Sequence, residues 1–286
     1  MTTPNEPHTQ QYSHINGPVE ELLDRLAVSE LCKGWPVYRD ASEWMNFRSL
    51  FCEEAHVWTT WSGVQTIDSF IAMSRKGKAN GAFIQHRECG TLVELNPATG
   101  RAVGKMKATI TQRFRGPISV PAARSSAGNE GENGVSNGVN GHGGTNGTAH
   151  GEAVEEIEYD VDCDCRFLFF CTKQQQQPPT PQPLTNGGDA PADAVPEGGR
   201  PTWKVRYVKL VYEKDKVVPL RRDGWPEFSA EEMVGLPEGY KFLGAAQRRL
   251  GYDIDAELVT VRDLGSWEKM YSAVEGWLGG DDADLF

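Results

Sequence analysis

The stretch YDVDCDCRFLFFC, residues 159–171, has the alternation that decides the fold of this 286-residue chain. Its odd-numbered positions are apolar, and its even-numbered positions begin with Asp160, Asp162 and Asp164. A period of two predicts a β-strand with one buried face and one exposed face. A shift of one residue would bury three carboxylates, so the register of this strand is strongly fixed.

The patterns around this strand predict one α+β domain with helices packed against a strongly curved antiparallel sheet. The other strand candidates are residues 55–61, 83–95, 101–115 and 202–220, and the helix candidates are residues 18–33, 41–54 and 66–77. The first helix is expected to end or kink at the sequence KGWP, because Pro36 disrupts helical hydrogen bonding. Residues 221–286 contain further helical stretches and form a C-terminal extension that covers the core.

Three segments are predicted to be disordered. Residues 1–17 form a polar tail, and the inserts at about 117–155 and 173–201 are rich in Gly, Asn, Gln and Pro. Neither insert has enough apolar residues to offset the entropy of ordering its backbone. Both are interpreted as expanded turns of the sheet within a domain spanning residues 18–220. The alternative is that they carry short binding motifs.

The composition limits the partners and the compartment. A net charge of −11 disfavours nucleic acid and anionic membranes as partners. There is no apolar run of 18 residues and no secretory signal, which favours a cytoplasmic location. Cys163, Cys165 and Cys171 share the apolar face of their strand, where buried free thiols act as small apolar groups. This use of cysteine fits a reducing compartment.

Four stretches together resemble the SnoaL-like and scytalone-dehydratase-like branch of the nuclear transport factor 2-like superfamily. They are YRDASEWMNFRSLFCEEAHV, FIQHRECGTLVEL, ATITQRF and WKVRYVKLVYEKD. The resemblance spans roughly residues 18–220 without the inserts, and it implies a cone-shaped sheet around a deep pocket and a possible homodimer. The extension after residue 220 resembles that of fungal members.

The resemblance also implies a site. It places Asp40 of RDASEW opposite His86 of QHRECG inside the cone. Tyr38 is close to the position of a pocket tyrosine, and Thr111 stands where scytalone dehydratase has a second catalytic histidine. Either could hold a substrate oxygen. Trp58 and Phe167 are among the aromatic residues expected to line an apolar pocket, and both are candidate substrate-binding residues.

The chemistry expected of the pair is general acid–base catalysis, with His86 as base or acid and Asp40 orienting its imidazole. The predicted activity is that of a cofactor-independent lyase, isomerase or cyclase. Its substrate would be a carbonyl-bearing aromatic or polyketide-like small molecule of secondary metabolism. The alternative is a non-catalytic binding or protein-interaction module of the same fold, with His86 as a hydrogen-bonded core residue and Asp40 as a helix cap.

A metal site is not expected. The sequence contains no HxH or HExxH motif and no paired Cys-His spacing. Asp160, Asp162 and Asp164 resemble the start of a calcium loop, but their alternation with apolar residues favours the solvated face of a strand.

Overall fold

A computed structural model describes residues 12–119, 155–174, 202–283 and 285. The helices are α1 (Val19–Asp40), α2 (Trp44–Ser49), α3 (Ile67–Ala79), α4 (Ala230–Met233), α5 (Lys241–Arg249) and α6 (Leu264–Gly279). The strands are β1 (Phe51–Thr59), β2 (Gly63–Thr66), β3 (Ile84–Asn96), β4 (Arg101–Ser119), β5 (Glu156–Gln174), β6 (Thr202–Pro219) and β7 (Trp225–Pro226).

The strands form one curved sheet in the order β2-β1-β6-β5-β4-β3, and β7 adds to the end of β4. The four long strands β3 to β6 are antiparallel neighbours, as the alternation predicts, whereas β1 joins β6 in parallel. The odd-numbered side chains of residues 159–171 are all almost completely buried, with exposed fractions of 0–1%. The predicted α+β fold class and the register of β5 are therefore confirmed.

Helix α1 lies on the inner face of the sheet and brings its apolar stripe against β4. A Cβ atom at Gly104 would lie 2.2 Å from Cys32 Sγ, so glycine is required for this close approach. The helix does not end at KGWP, because Pro36 lies inside it. Proline removes one helical hydrogen bond, and the burial of Trp35 beside it, at 1% exposure, favours continuation of the helix.

The C-terminal helices pack on both faces of the sheet. Helix α6 covers the outer face, where Trp277 and Leu278 contact Phe170 and other residues of a second apolar cluster. Helix α5 packs on the inner face with Leu243 in the main core. The Asp215 carboxylate at the end of β6 accepts a hydrogen bond of 2.8 Å from the Leu243 backbone N–H. The extension therefore covers the core, as the apolar stripes predict.

The segments predicted to be disordered lie mostly outside the described residues. Residues 1–11, 120–154 and 175–201 are in that group. Residues 12–17 differ from the predicted tail, because the Ser13 backbone pairs with Leu95 of β3 through hydrogen bonds of 3.0 and 2.9 Å. All six cysteines are free thiols. None of the described helices is both long enough and apolar enough to cross a membrane.

Candidate active site

The site forms where the end of helix α1 meets the start of strand β3. Asp40 is the last residue of α1, and His86 is the third residue of β3. Asp40 Oδ1 lies 2.7 Å from His86 Nδ1, and Asp40 Oδ2 accepts a 2.6 Å hydrogen bond from the His86 backbone N–H. The carboxylate therefore holds both the strand and the imidazole, and it fixes the orientation of the ring.

Electrostatics favour a neutral imidazole with its proton on Nδ1. Burial lowers the pKa of His86, the hydrogen bond that the ring donates to Asp40 opposes this effect, and the charge of Arg39 lowers the pKa again; the net direction is downward. Burial raises the pKa of Asp40, but its bonds with His86 outweigh burial and keep that pKa below the usual value. Nδ1–H then donates to the carboxylate, so Nε2 keeps its lone pair.

Arg39 is the second charged group of the site. Its side chain is 4% exposed, and its Nη1 lies 3.4 Å from His86 Nε2. The guanidinium lies over the rings of Trp35 and Phe70, with its carbon 5.9 and 5.5 Å from the ring centroids. Because Arg39 can only donate hydrogen bonds, this neighbour also favours an unprotonated Nε2 on His86.

A small, partly enclosed cavity lies beside His86 on the inner face of the sheet. Its volume is about 30 Å³, and its lining is mainly apolar, with Phe167, Ile110, Leu210 and Leu243 among the residues that face it. That volume accommodates about two water molecules. An aromatic or polyketide-sized molecule does not fit with α5 in this position, which corrects the expected deep pocket.

A chain of hydrogen bonds from helix α5 forms one wall of the cavity. Gln247 accepts a 2.8 Å hydrogen bond from the Thr60 hydroxyl and donates a 3.1 Å hydrogen bond to Gln112 Oε1. All three side chains are buried. The C-terminal extension therefore supplies part of the cavity wall.

A second small cavity, of about 20 Å³, adjoins the first on the side of helix α3. The two share Arg39, Ile84, Trp61, Gln112 and Gln247 as lining residues. The second cavity is also lined by Ser74, Gly77 and Lys78 of α3 and by Tyr252 after α5. A path between α3 and the C-terminal extension thus leads towards Arg39 and His86.

The structure brings three of the six predicted site residues together. Asp40 and His86 are hydrogen-bonded, and the Phe167 ring lies 6.1 Å from the His86 ring and lines the cavity. Tyr38 is half-buried against the core but does not line the cavity.

Thr111 and Trp58 lie on the outer face of the sheet, and their predicted place in the pocket is corrected. The Thr111 hydroxyl donates a 2.5 Å hydrogen bond to Asp162. Trp58 packs against Tyr207, with ring centroids 6.2 Å apart. The cause is strand alternation, because the neighbours Gln112 and Thr59 take the inward positions.

Sequence reasoning missed Arg39, Gln112 and Gln247. Arg39 follows Cys32 and Trp35 at helical spacing, so it falls on the buried stripe of α1. Gln112 follows Ile110 at strand spacing, which was a usable signal for an inward position. Gln247 had no comparable signal, because its neighbours in AAQRR do not show which element α5 packs against. Within the described ranges, no three His, Cys, Asp or Glu side chains come together as metal ligands.

Comparison with known proteins identifies the family. The model of the SnoaL-like domain matches residues 20–130, which include Asp40 and His86. A curated but uncharacterised protein of Emericella nidulans is 34% identical over 277 residues, covering 94% of this chain and 92% of its own. The chain belongs to the SnoaL-like family. Pea pathogenicity protein 2 of Fusarium vanettenii is 32% identical, with the same shares of both chains covered.

Two solved structures are also similar to this chain. A scytalone dehydratase-like protein of Novosphingobium aromaticivorans is 11% identical, with a TM-score of 0.37 and coverage of 73% of this chain and 96% of that chain. A hexachlorocyclohexane dehydrochlorinase is 9% identical, with a TM-score of 0.40 and coverage of 74% and 97%. These likenesses concern the fold alone.

Proposed function

We propose that this SnoaL-like protein is a cofactor-independent lyase or isomerase in which His86 Nε2 is the general base and Asp40 is its positioning residue. The substrate is a carbonyl-bearing small molecule, as in the dehydration, enolisation or ring closure expected from the sequence. Phe167 would contact the substrate inside the cavity. The observation that supports this proposal is the 2.7 Å contact between Asp40 and His86 Nδ1, which leaves Nε2 on the opposite side of the ring.

The proposed reaction begins with proton transfer from the carbon beside the carbonyl group to His86 Nε2. The C–H electron pair then forms the enolate, and the imidazolium is stabilised by the Asp40 carboxylate. In an isomerisation, the imidazolium returns the proton to a different atom of the substrate. In a dehydration, it protonates a departing β-hydroxyl group, so that an alkene and water are formed. Both routes regenerate neutral His86.

Substrate size is set by helix α5 in this proposal. Leu243 and Gln247 form one wall of the cavity of about 30 Å³, so an aromatic or polyketide-like substrate requires displacement of α5. A small carbonyl compound requires only side-chain adjustment. We therefore propose small carbonyl compounds as the first substrates to test.

The test is deuterium exchange at the carbon beside the carbonyl group, followed by proton NMR in deuterated buffer with butanone, cyclohexanone and pyruvate. General acid–base catalysis contributes about 10²–10⁴-fold, so His86→Gln and Asp40→Asn should each slow exchange by about 100-fold or more. Thr111→Val is the matched control, since its side chain lies on the outer face and exchange should be unchanged. Exchange that stays at the wild-type rate in both site variants would disprove the mechanism.

The second candidate is a non-catalytic ligand-binding or protein-interaction module. The small size of the cavity favours it, because a cavity of about 30 Å³ lined by the hydrogen-bonded side chains of Gln247, Gln112 and Thr60 leaves little room for a substrate. Deuterium exchange that never exceeds the buffer rate, combined with saturable binding of one of the same compounds, would select this candidate.

A further inference from the structure

The two cavities beside His86 carry positive charge. Arg39 lines both of them and Lys78 lines the second, whereas no Asp or Glu is among the described residues that line either one. This is notable in a chain whose net charge is −11. A local positive potential inside an acidic protein favours an anionic ligand.

Arg39 is buried without a hydrogen-bonded ion pair, and the charge of Asp40 offsets only part of the cost of burial. Both oxygens of Asp40, the adjacent carboxylate, are directed at His86, and among the described residues the Arg39 Nε–H has no hydrogen-bond partner. The remaining polar contact is the long one of 3.4 Å from Nη1 to His86 Nε2. Burying a cation in this way is costly unless it is paired. A ligand that brings a negative charge to Arg39 would offset this free-energy cost of burial.

Two other buried donors of the same region also lack partners. Trp35 Nε1 and Ser74 Oγ have no hydrogen bond within the part of the chain that the structure describes. Trp35 lines the first cavity and Ser74 the second. Trp35 is one helical turn from Arg39 on α1. Ser74 is one turn from Phe70 on α3, and the Phe70 ring lies beneath the Arg39 guanidinium. Among the described residues, three buried polar atoms without a partner thus belong to side chains that line these two adjoining cavities.

We propose that Arg39 anchors a binding site for the carboxylate of a small oxo acid, which would be the substrate class of this site. A carboxylate has two oxygens with about four lone-pair positions. It can therefore accept more hydrogen bonds than the single oxygen of a neutral ketone. The planar guanidinium presents paired N–H groups that match a carboxylate geometrically. The binding claim stands on the unpartnered donors, and the assignment to substrate rests on the proposed function.

The position of Arg39 suits this role in the proposed reaction. Because Nη1 and His86 Nε2 are 3.4 Å apart, a carboxylate bonded to Arg39 brings its attached carbon atoms next to the base. Proximity of this kind is what proton abstraction requires. The neutral alternative, in which Arg39 contacts only a ketone oxygen, predicts no preference for an acid over a ketone of equal size.

The experiment measures carboxylate binding without turnover. Formate and acetate are titrated into the full-length protein, with acetone as the neutral match of acetate, and the Arg39 Nε–H and His86 ring signals are followed by NMR. The expected result is saturable binding with about tenfold or greater preference for acetate over acetone. A wild-type protein that shows no saturable shift with formate or acetate, or equal shifts with acetone, overturns the proposal.

Two variants separate binding from structure. Arg39→Met keeps the length of the side chain and removes the buried charge, so acetate binding should be lost while the urea midpoint stays equal to or rises above that of the wild type. Arg113→Met is the matched control, because Arg113 pairs with Asp160 outside the cavities, and it should bind acetate normally. A lower midpoint for Arg39→Met, or acetate binding that survives in it, contradicts the proposal.

His86→Gln distinguishes this proposal from the proposed function. If the variant retains acetate preference and loses deuterium exchange, both proposals are supported. If the wild type binds acetate and never accelerates exchange, the carboxylate site stands and the catalytic role of His86 falls. If the wild type accelerates exchange of butanone as well as of pyruvate and shows no acetate preference, the catalytic role stands and the carboxylate site falls.

Discussion

The buried carboxylate Asp215, which accepts a hydrogen bond from the start of helix α5, is predicted to make the protein less stable as the pH rises. Asp215 accepts the Leu243 backbone N–H at 2.8 Å. Burial raises the pKa of Asp215 from 3.8 to about 6, although hydrogen bonds from the backbone of α5 act in the opposite direction. The protonated form is therefore favoured in the folded protein below about pH 6. Asp215→Asn mimics that neutral form and keeps an oxygen that can accept the same hydrogen bond.

The sign and size of the change in the free energy of unfolding with pH follow from the linkage between proton binding and folding. Between the unfolded and folded pKa values of Asp215 the folded state binds more protons, so the free energy of unfolding falls as the pH rises. A shift of about two pKa units corresponds to roughly 3 kcal/mol in total, and about 2 kcal/mol of it is lost between pH 4.5 and pH 8. Asp215→Asn should therefore gain about 2 kcal/mol relative to the wild type across that range.

The assay is urea denaturation at several pH values, and the quantity of interest is the difference between variant and wild type. This difference cancels the contribution of His86, whose lowered pKa makes the wild type lose stability as the pH falls through the unfolded value of 6.5. Asp263→Asn is the control, because Asp263 also caps a helix but is exposed and has a lowered pKa. Its difference should stay nearly constant between pH 4.5 and pH 8, because its folded and unfolded pKa values both lie below that range. A flat difference for Asp215→Asn would refute the reasoning.

Two further changes in stability are expected in the same denaturation assay. Gly104→Ala should cost about 1–3 kcal/mol, because its Cβ would lie 2.2 Å from Cys32 Sγ; an equal cost in a Cys32→Ala background would contradict this cause. Gln247→Leu should cost about 1–3 kcal/mol, because the buried Thr60 hydroxyl loses its acceptor; an unchanged midpoint would show that this hydrogen bond does not stabilise the cavity wall.

The predictable part of the fold is the part with strong local contrast. In β5 the alternation between apolar residues and carboxylates allows a single register, and Tyr159 to Cys171 follow it at every odd position. The end of α1 was not predictable in the same way. Pro36 is a local signal for a helix end, and only the packing of Trp35 against the core shows that the helix continues.

The residues of the candidate site whose inward orientation follows from strand or helix spacing were the ones that the sequence could predict. Asp40 and His86 were identified by resemblance to the family, and they are in contact. Thr111 was taken from the same resemblance, against the alternation of β4, and it faces outward. Gln112 and Arg39 obey the inward periods of β4 and α1, so greater weight on periodicity would have found them.

The amino-acid sequence by itself determined the long strands β3 to β6, their buried faces and, through the family resemblance, the Asp40–His86 pair, because each depends on short-range spacing or on a recognisable motif. Only the tertiary structure decided the size and charge of the cavity. Gln247 is hydrogen-bonded to Gln112 and Thr60, which are 135 and 187 residues away in the chain. Both carboxylate oxygens of Asp40 are bonded to His86, so they do not pair with Arg39. Such contacts depend on the curvature of the sheet and the position of α5, and no local pattern encodes them.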